Sequence, residues 1–146
     1  MSNERLYYNN FFGSGLKSNR EKIGKTQQEV ADEIGMARAQ VSRYENGTVP
    51  SIDTAIKLYN ATNETKLECK AEDLYGESLK NRREKAGLTQ QQLSNITGID
   101  RSLISRYEKD TIPNIKNAAK MQFVCECISE QKKYDPTLDV DGLKYT

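Results

Sequence analysis

The sequence predicts an all-α protein made of two tandem units of one small helical fold. Three observations predict it. Residues 12–52 align without a gap against residues 75–115, with identity at 19 of 41 positions, too many for two unrelated helical segments. Each copy places two short stretches of helical periodicity on either side of a glycine, Gly35 or Gly98, with a threonine cap signal ahead of the first. The chain has 146 residues, 29% charged and 36% hydrophobic, which suits two compact units of about 60 residues each. Units that small bury barely enough apolar surface to fold alone, so they are expected to pack on each other or on a second chain. The boundaries read as residues 1–70 for the first unit, 71–133 for the second and 134–146 for an extended acidic tail.

In chain order, Tyr7-Tyr8 and Asn9-Asn10 lead into Phe11-Phe12, either a short helical turn that caps the first core or an arm that touches a partner. A first helix runs to about Lys22 with Leu16 inward, and Gly24 ends it. Thr26-Gln27-Gln28-Glu29 has the form of a capping box, so a second helix starts at Gln27 and turns Val30, Ala31 and Ile34 inward. Gly35 closes it by taking a positive φ at no steric cost. The third helix shows Val41, Tyr44 and Glu45 to the core and, by helical spacing, Arg38, Ala39, Ser42 and Arg43 to the outside. After a turn at Pro50, Ser51 caps a fourth helix with Ile52, Ala55, Ile56 and Tyr59 at helical spacing. Residues 61–67 form a polar connection, and residues 69–75 resume helical character with no glycine or proline before Gly76. They are expected to run into the next helix and so to leave no flexible linker.

The second copy repeats the pattern. Thr89-Gln90-Gln91-Gln92 is the cap, Leu93 and Ile96 point inward, and Gly98 makes the turn. In the helix that follows, Ile104, Tyr107 and Glu108 face the core while Arg101, Ser102, Ser105 and Arg106 face outward. Lys109-Asp110 stands where the first copy has Asn46-Gly47. Beyond Pro113, Asn114 caps a longer helix with Ile115, Ala118, Ala119, Phe123 and Cys127 on one face, broadened by Met121, Val124 and Ile128. That stripe exceeds the need of one small core; it serves either packing on the first unit or a homodimer surface through residues 115–128. From Tyr134 the chain reads as an extended tail, loose or laid over the body.

Both copies resemble the Cro and phage-repressor (XRE-type) helix-turn-helix family. The Thr-Gln opening, the turn glycine and the runs Val41-Ser42-Arg43-Tyr44-Glu45 and Ile104-Ser105-Arg106-Tyr107-Glu108 carry the resemblance. It implies two tandem lambda-repressor-like domains that bind double-stranded DNA. It also implies structural ion pairs between Arg20 and Glu45 and between Arg83 and Glu108, which would compensate carboxylates on an apolar face. An α-helix fits the major groove, and an arginine there can donate two hydrogen bonds to guanine. Arg38, Arg43, Arg101 and Arg106 are therefore the expected base readers, together with Ser42 and Ser105 on the same face. Motif position adds Ala39 and Ser102. The amides of Gln27, Gln28, Gln90 and Gln91, at helix starts, are expected to hold phosphates, as is Asn46 in the turn after the reading helix. Because the two faces share both arginines and a serine, the half-sites are expected to resemble each other and to be rich in guanine.

Composition narrows the alternatives. Net charge is only +1, yet residues 79–133 carry 11 basic against 6 acidic side chains, and phosphates feel the local field. With no histidine, imidazole catalysis and imidazole-bound metals are excluded. Cys69, Cys125 and Cys127 read as buried or idle thiols, since i and i+2 on a helix diverge. No nucleophile with a base, paired-carboxylate site or phosphate loop is visible, so no enzyme and no cofactor is expected. No apolar run reaches the length of a membrane span, and a cytoplasmic location is expected. The leading function is a transcriptional repressor of the kind found on phages and mobile elements. The alternative is a protein-binding module of the same fold, such as an antitoxin or an inhibitor of a host enzyme.

Overall fold

A computed structural model of the chain describes residues 11–67 and 70–145, so the lead-in at residues 1–10 and Cys69 lie outside the described residues. Among the described residues there are eight α-helices and no strands. The chain divides into two compact units. The first reaches Ala71 and takes in Asn114–Lys116, and the second holds Glu72–Pro113 and the chain from Asn117 onward.

The first unit contains α1 (Gly13–Lys22), α2 (Gln27–Ile34), α3 (Arg38–Glu45) and α4 (Ile52–Thr62). Thr26 Oγ1 accepts from the Glu29 amide at 3.0 Å while Glu29 Oε1 accepts from the Thr26 amide at 2.9 Å, so the start of α2 is closed reciprocally. Gly35 ends α2 at φ +72°, a left-handed conformation in which a Cβ would be strained. Leu16, Val30, Ala31, Val41, Leu58 and Ala61 form the core. Each fully buried leucine or valine contributes about 1.5–3 kcal/mol, the main term available to so small a unit.

The inward face of α4 is Ile52, Ala55, Leu58, Ala61 and Thr62, whereas Ile56 and Tyr59, expected inside, are half-buried. Tyr59 instead meets Phe11, ring centroids 5.2 Å apart, so the aromatic side of the helix is used by the chain preceding α1. The Ile115 amide donates to the Pro50 carbonyl at 2.9 Å, closing the turn ahead of α4.

Residues 70–75 do not continue as helix. Ala71–Asp73 forms a single 3₁₀ turn, and Gly76 sits at φ +65°, where no right-handed helix can pass through it. The expectation of a helical join is therefore overturned. The missing signal was Gly76 itself, whose copy Gly13 takes φ +71°.

The second unit contains α5 (Glu77–Lys85), α6 (Gln90–Thr97), α7 (Arg101–Tyr107) and the greater part of α8 (Ile115–Tyr134). Leu79, Leu88, Leu93, Ile96, Ile104 and Tyr107 join Met121, Val124, Cys125 and Ile128 of α8 in one apolar cluster. Much of the wide stripe on α8 is thus consumed by its own unit. Cys125 is the buried thiol, while Cys127, expected on the stripe, is half-buried. Lys132 Nζ donates to the Ala86 carbonyl at 2.8 Å, a cation at the end of α5 where the helix dipole is negative.

The tail is seated on this unit. Val140 belongs to the apolar cluster, with Leu138 and Tyr145 packed against it. The Tyr145 amide donates to the Ile96 carbonyl at 2.8 Å, and the Tyr145 ring meets Phe123 edge to face at 6.1 Å. Lys120 Nζ lies 5.5 Å from the centre of that ring.

Candidate nucleic-acid interface

Each unit presents one ridge built from its third helix. In α3, Val41 and Glu45 are buried, and the opposite side leaves Arg38, Ala39 and Arg43 exposed with Ser42 half-buried. In α7, Ile104 and Tyr107 are buried, while Arg101, Ser102 and Arg106 are exposed and Ser105 is half-buried. The sequence places these four residues on one face in each copy, and in the structure they lie together on it.

The ridge is held from beneath by an ion pair. Arg20 Nε donates to Glu45 Oε2 at 2.6 Å and Nη2 donates to Oε1 at 3.1 Å; Arg83 and Glu108 repeat this at 2.6 and 3.0 Å. The fork geometry is that of a bidentate, charge-assisted pair. Its hydrogen bond to Glu45 raises the Arg20 pKa, and Glu108 does the same for Arg83, in both cases against the lowering effect of burial. The remaining guanidinium nitrogen donates to the backbone, Arg20 to Lys25 O at 2.7 Å and Arg83 to Leu88 O at 2.8 Å. Each arginine therefore ties α1 or α5, the loop after it and the end of α3 or α7 together.

A third partner was not foreseen from sequence. Gln27 Nε2 donates to Glu45 Oε1 at 3.0 Å, and Gln90 Nε2 donates to Glu108 Oε1 at 3.1 Å. The side chains of Gln27 and Gln90 are thus committed to the buried glutamates; it was their backbone amides that were expected to hold phosphate. The recurrence of glutamine at matching positions was the available signal. In the first unit the chain of contacts continues outward, since Arg38 Nη1 donates to Gln27 Oε1 at 3.2 Å. Gln28 and Gln91 are exposed, and their amide groups bond one turn along, to Asp32 and Asn95. Asn46 is exposed at the end of α3, its own amide directed to the Ser42 and Arg43 carbonyls.

The starts of α3 and α7 differ. Ala37 offers no side-chain cap, whereas Asp100 Oδ1 accepts from the amide and the hydroxyl of Ser102, each at 2.8 Å. The Ser102 amide and then its hydroxyl hold the Asp100 carboxyl below its ordinary range, with smaller contributions from Arg101 and Arg106. An Asp-x-Ser spacing at a helix start was the sequence signal for this pair.

Two exposed cationic ridges, each braced by a buried arginine–glutamate pair and preceded by a capped helix and a left-handed glycine, make a helix-turn-helix in duplicate. A family model described as Helix-turn-helix matches the chain twice, over residues 16–68 and 79–122. The chain belongs to the Cro and phage-repressor-type helix-turn-helix family. That family is one of DNA-binding regulators rather than of enzymes, and the two matched segments fall on the two copies. Neither the comparison with curated proteins nor that with solved structures gives a match. In this helix-turn-helix protein no helix among the described residues is long and apolar enough to cross a membrane. Among the same residues no group of three or more cysteine, aspartate or glutamate side chains is placed to hold a metal ion.

Proposed function

We propose that the chain is a sequence-specific transcriptional regulator, most simply a repressor of the kind phages and mobile elements carry, that occludes a promoter by binding two half-sites. One observation carries the reading: in both copies the same exposed arginine pair is carried by a helix whose end is fixed by a buried arginine–glutamate brace. Arg38 and Arg43, with Arg101 and Arg106, donate in pairs to the O6 and N7 of guanine in the major groove. Ser42 and Ser105 lie between them on the same faces and, with Ala39 and Ser102, complete the reading set. The amides of Gln27, Gln28, Gln90 and Gln91 receive phosphate oxygens, because Thr26 and Thr89 already occupy the third amide of each helix. Asn46 supplies a further phosphate contact in the first unit. Carriage of both readers on one chain raises the effective concentration of the second at its half-site to roughly the millimolar range.

The experiment is quantitative binding to duplexes selected from a random pool, at several salt concentrations. Arg43→Ala and Arg106→Ala are each expected to lose roughly 1–3 kcal/mol on the preferred site and to relax one position of it. Affinity for all duplexes falls steeply as salt rises, because phosphate contacts release counterions. If both variants hold the preferred site as the wild type does, the assignment of the readers fails. Tight, salt-insensitive association with a protein in place of DNA overturns the function itself.

A further inference from the structure

The two ridges share their arginines and one serine but differ in the side chains on either side of the first arginine: Ala37 and Ala39 in the first unit, Asp100 and Ser102 in the second. Asp100 and Ser102 are both exposed, as are Arg101 and Arg106, so the pair forms part of the surface that the reading above turns toward base edges. A hydroxyl has one proton to give, and Ser102 gives it to Asp100 Oδ1 at 2.8 Å. What Ser102 can offer an outside group is lone pairs, and an ionised carboxylate offers the same. Ala39 offers a methyl group and nothing polar.

In the major groove the hydrogen-bond donors are the N4 amino group of cytosine and the N6 amino group of adenine; guanine O6 and N7 and thymine O4 are acceptors. An acceptor-only pair set against guanine or thymine brings lone pairs together with no proton between them. An exposed carboxylate also repels phosphate, so the lone pairs that Asp100 keeps beyond its two bonds to Ser102 are favourable toward DNA where they meet a donor. A methyl group, by contrast, makes its favourable contact with the C5 methyl of thymine.

We propose that Asp100 and Ser102 are specificity-determining residues that make the second unit read a base carrying an exocyclic amino group, at the base pair where the first unit reads thymine through Ala39. This rests on the assignment of α3 and α7 as major-groove readers, and it departs from the expectation of two like half-sites at this one position. The half-sites remain alike where the shared arginines read guanine.

The test is selection from a random duplex pool by the full chain, run with the wild type, with Ser102→Ala and with the double variant Asp100→Ala/Ser102→Ala. Ser102→Ala leaves Asp100 bonded to the backbone amide of residue 102, so the start of α7 keeps its cap and this variant stands even if the double variant folds poorly. The wild type is expected to select thymine in one half-site and cytosine or adenine at the matching position of the other. Ser102→Ala is expected to weaken that second preference by about fivefold or more. The double variant, which recreates the first unit's side chains, is expected to select thymine in both. Identical half-sites with the wild type, or variants that alter no position, overturn the proposal while leaving sequence-specific binding intact. A wild type that selects no sequence at all removes the DNA-reading function and this inference with it.

Discussion

Replacing Glu45 with alanine removes the centre of the brace under the first ridge. The Glu45 side chain is 2% exposed and that of Arg20 is 11% exposed, so the guanidinium left behind has little access to water. It loses both arms of its fork, at 2.6 and 3.1 Å, and Gln27 Nε2 loses its acceptor at 3.0 Å. Breaking a buried pair by removing one partner costs about 3–5 kcal/mol, chiefly through the charge left uncompensated. A unit of this size has only about 3–10 kcal/mol of total stability, so the loss takes about a third of it or more. At about 4–8 °C per kcal/mol, the thermal midpoint of the first unit should fall by at least about 12 °C. Far-UV circular dichroism of the full chain measures this, with Glu108→Ala as the parallel lesion in the second unit. The double replacement Arg20→Met/Glu45→Leu serves as control. It removes both charges, lets half-buried Gln27 turn to water, and should recover most of the loss, because an apolar pair of similar volume needs no desolvation. An unchanged midpoint in Glu45→Ala refutes the reasoning, and so does a double variant no better than the single one.

The Asp100 carboxyl titrates below its ordinary value of 3.8, so its contribution to α7 is fully present above that pH and is lost as pH falls through its lowered folded value. The stability gap between wild type and Asp100→Ala, followed by thermal melts, should therefore be constant near neutrality and close in acid below pH 3.8. Burial pushes the Cys125 thiol up to about 12, so alkylation mapped by peptide mass should leave it unmodified in the native protein and label it on unfolding. Val140→Ala should destabilise the second unit by about 1.5–2.5 kcal/mol, since Val140 is 7% exposed within the apolar cluster. A wild-type melt for that variant would show that the tail adds nothing to the fold.

What could be read from sequence was whatever a few consecutive residues encode. The capping boxes at Thr26 and Thr89, the left-handed turns at Gly35 and Gly98, and the outward faces of α3 and α7 are local patterns. What could not be read depends on which of two admissible stripes finds a partner. On α4, positions 52, 55, 56 and 59 and positions 52, 55, 58 and 62 are both helical faces. Phe11, far away in sequence, decides between them by taking Tyr59. Absence of glycine and proline in residues 69–75 was read as helix, but absence of a breaker is not a helix signal: Ala71 and Leu74 are buried from a single 3₁₀ turn, and Gly76 at φ +65° bars a continuous helix. The glutamine on each buried glutamate was invisible for another reason: the same residue at a helix start serves equally well as a surface amide.

The comparison between the copies separates two kinds of position. Those that hold the motif are kept in kind and in geometry: the bidentate pairs agree to 0.1 Å, and the same glutamine donates to the same glutamate oxygen in each. Some that meet the surroundings have diverged, and at Leu88 and Ile96 the divergence is chemically matched to what it meets. Lys25 and Glu33 form an ion pair at 2.7 Å in the first unit, while their counterparts Leu88 and Ile96 are buried in the cluster that Val140 of the tail joins. A charged pair there would have to be desolvated beneath the tail at a cost of several kcal/mol per ion, so the apolar exchange is what allows the tail to seat. The start of α7 follows the same logic from the opposite side. Ala37 and Ala39 bring no polar side chain to the first ridge, whereas Asp100 and Ser102 add acceptors to the second without altering the brace below it. Because the brace is the same, a difference in base preference between the units must arise from the exposed side chains alone, and exchange of those side chains should exchange the preference while leaving the melting curve nearly as it was.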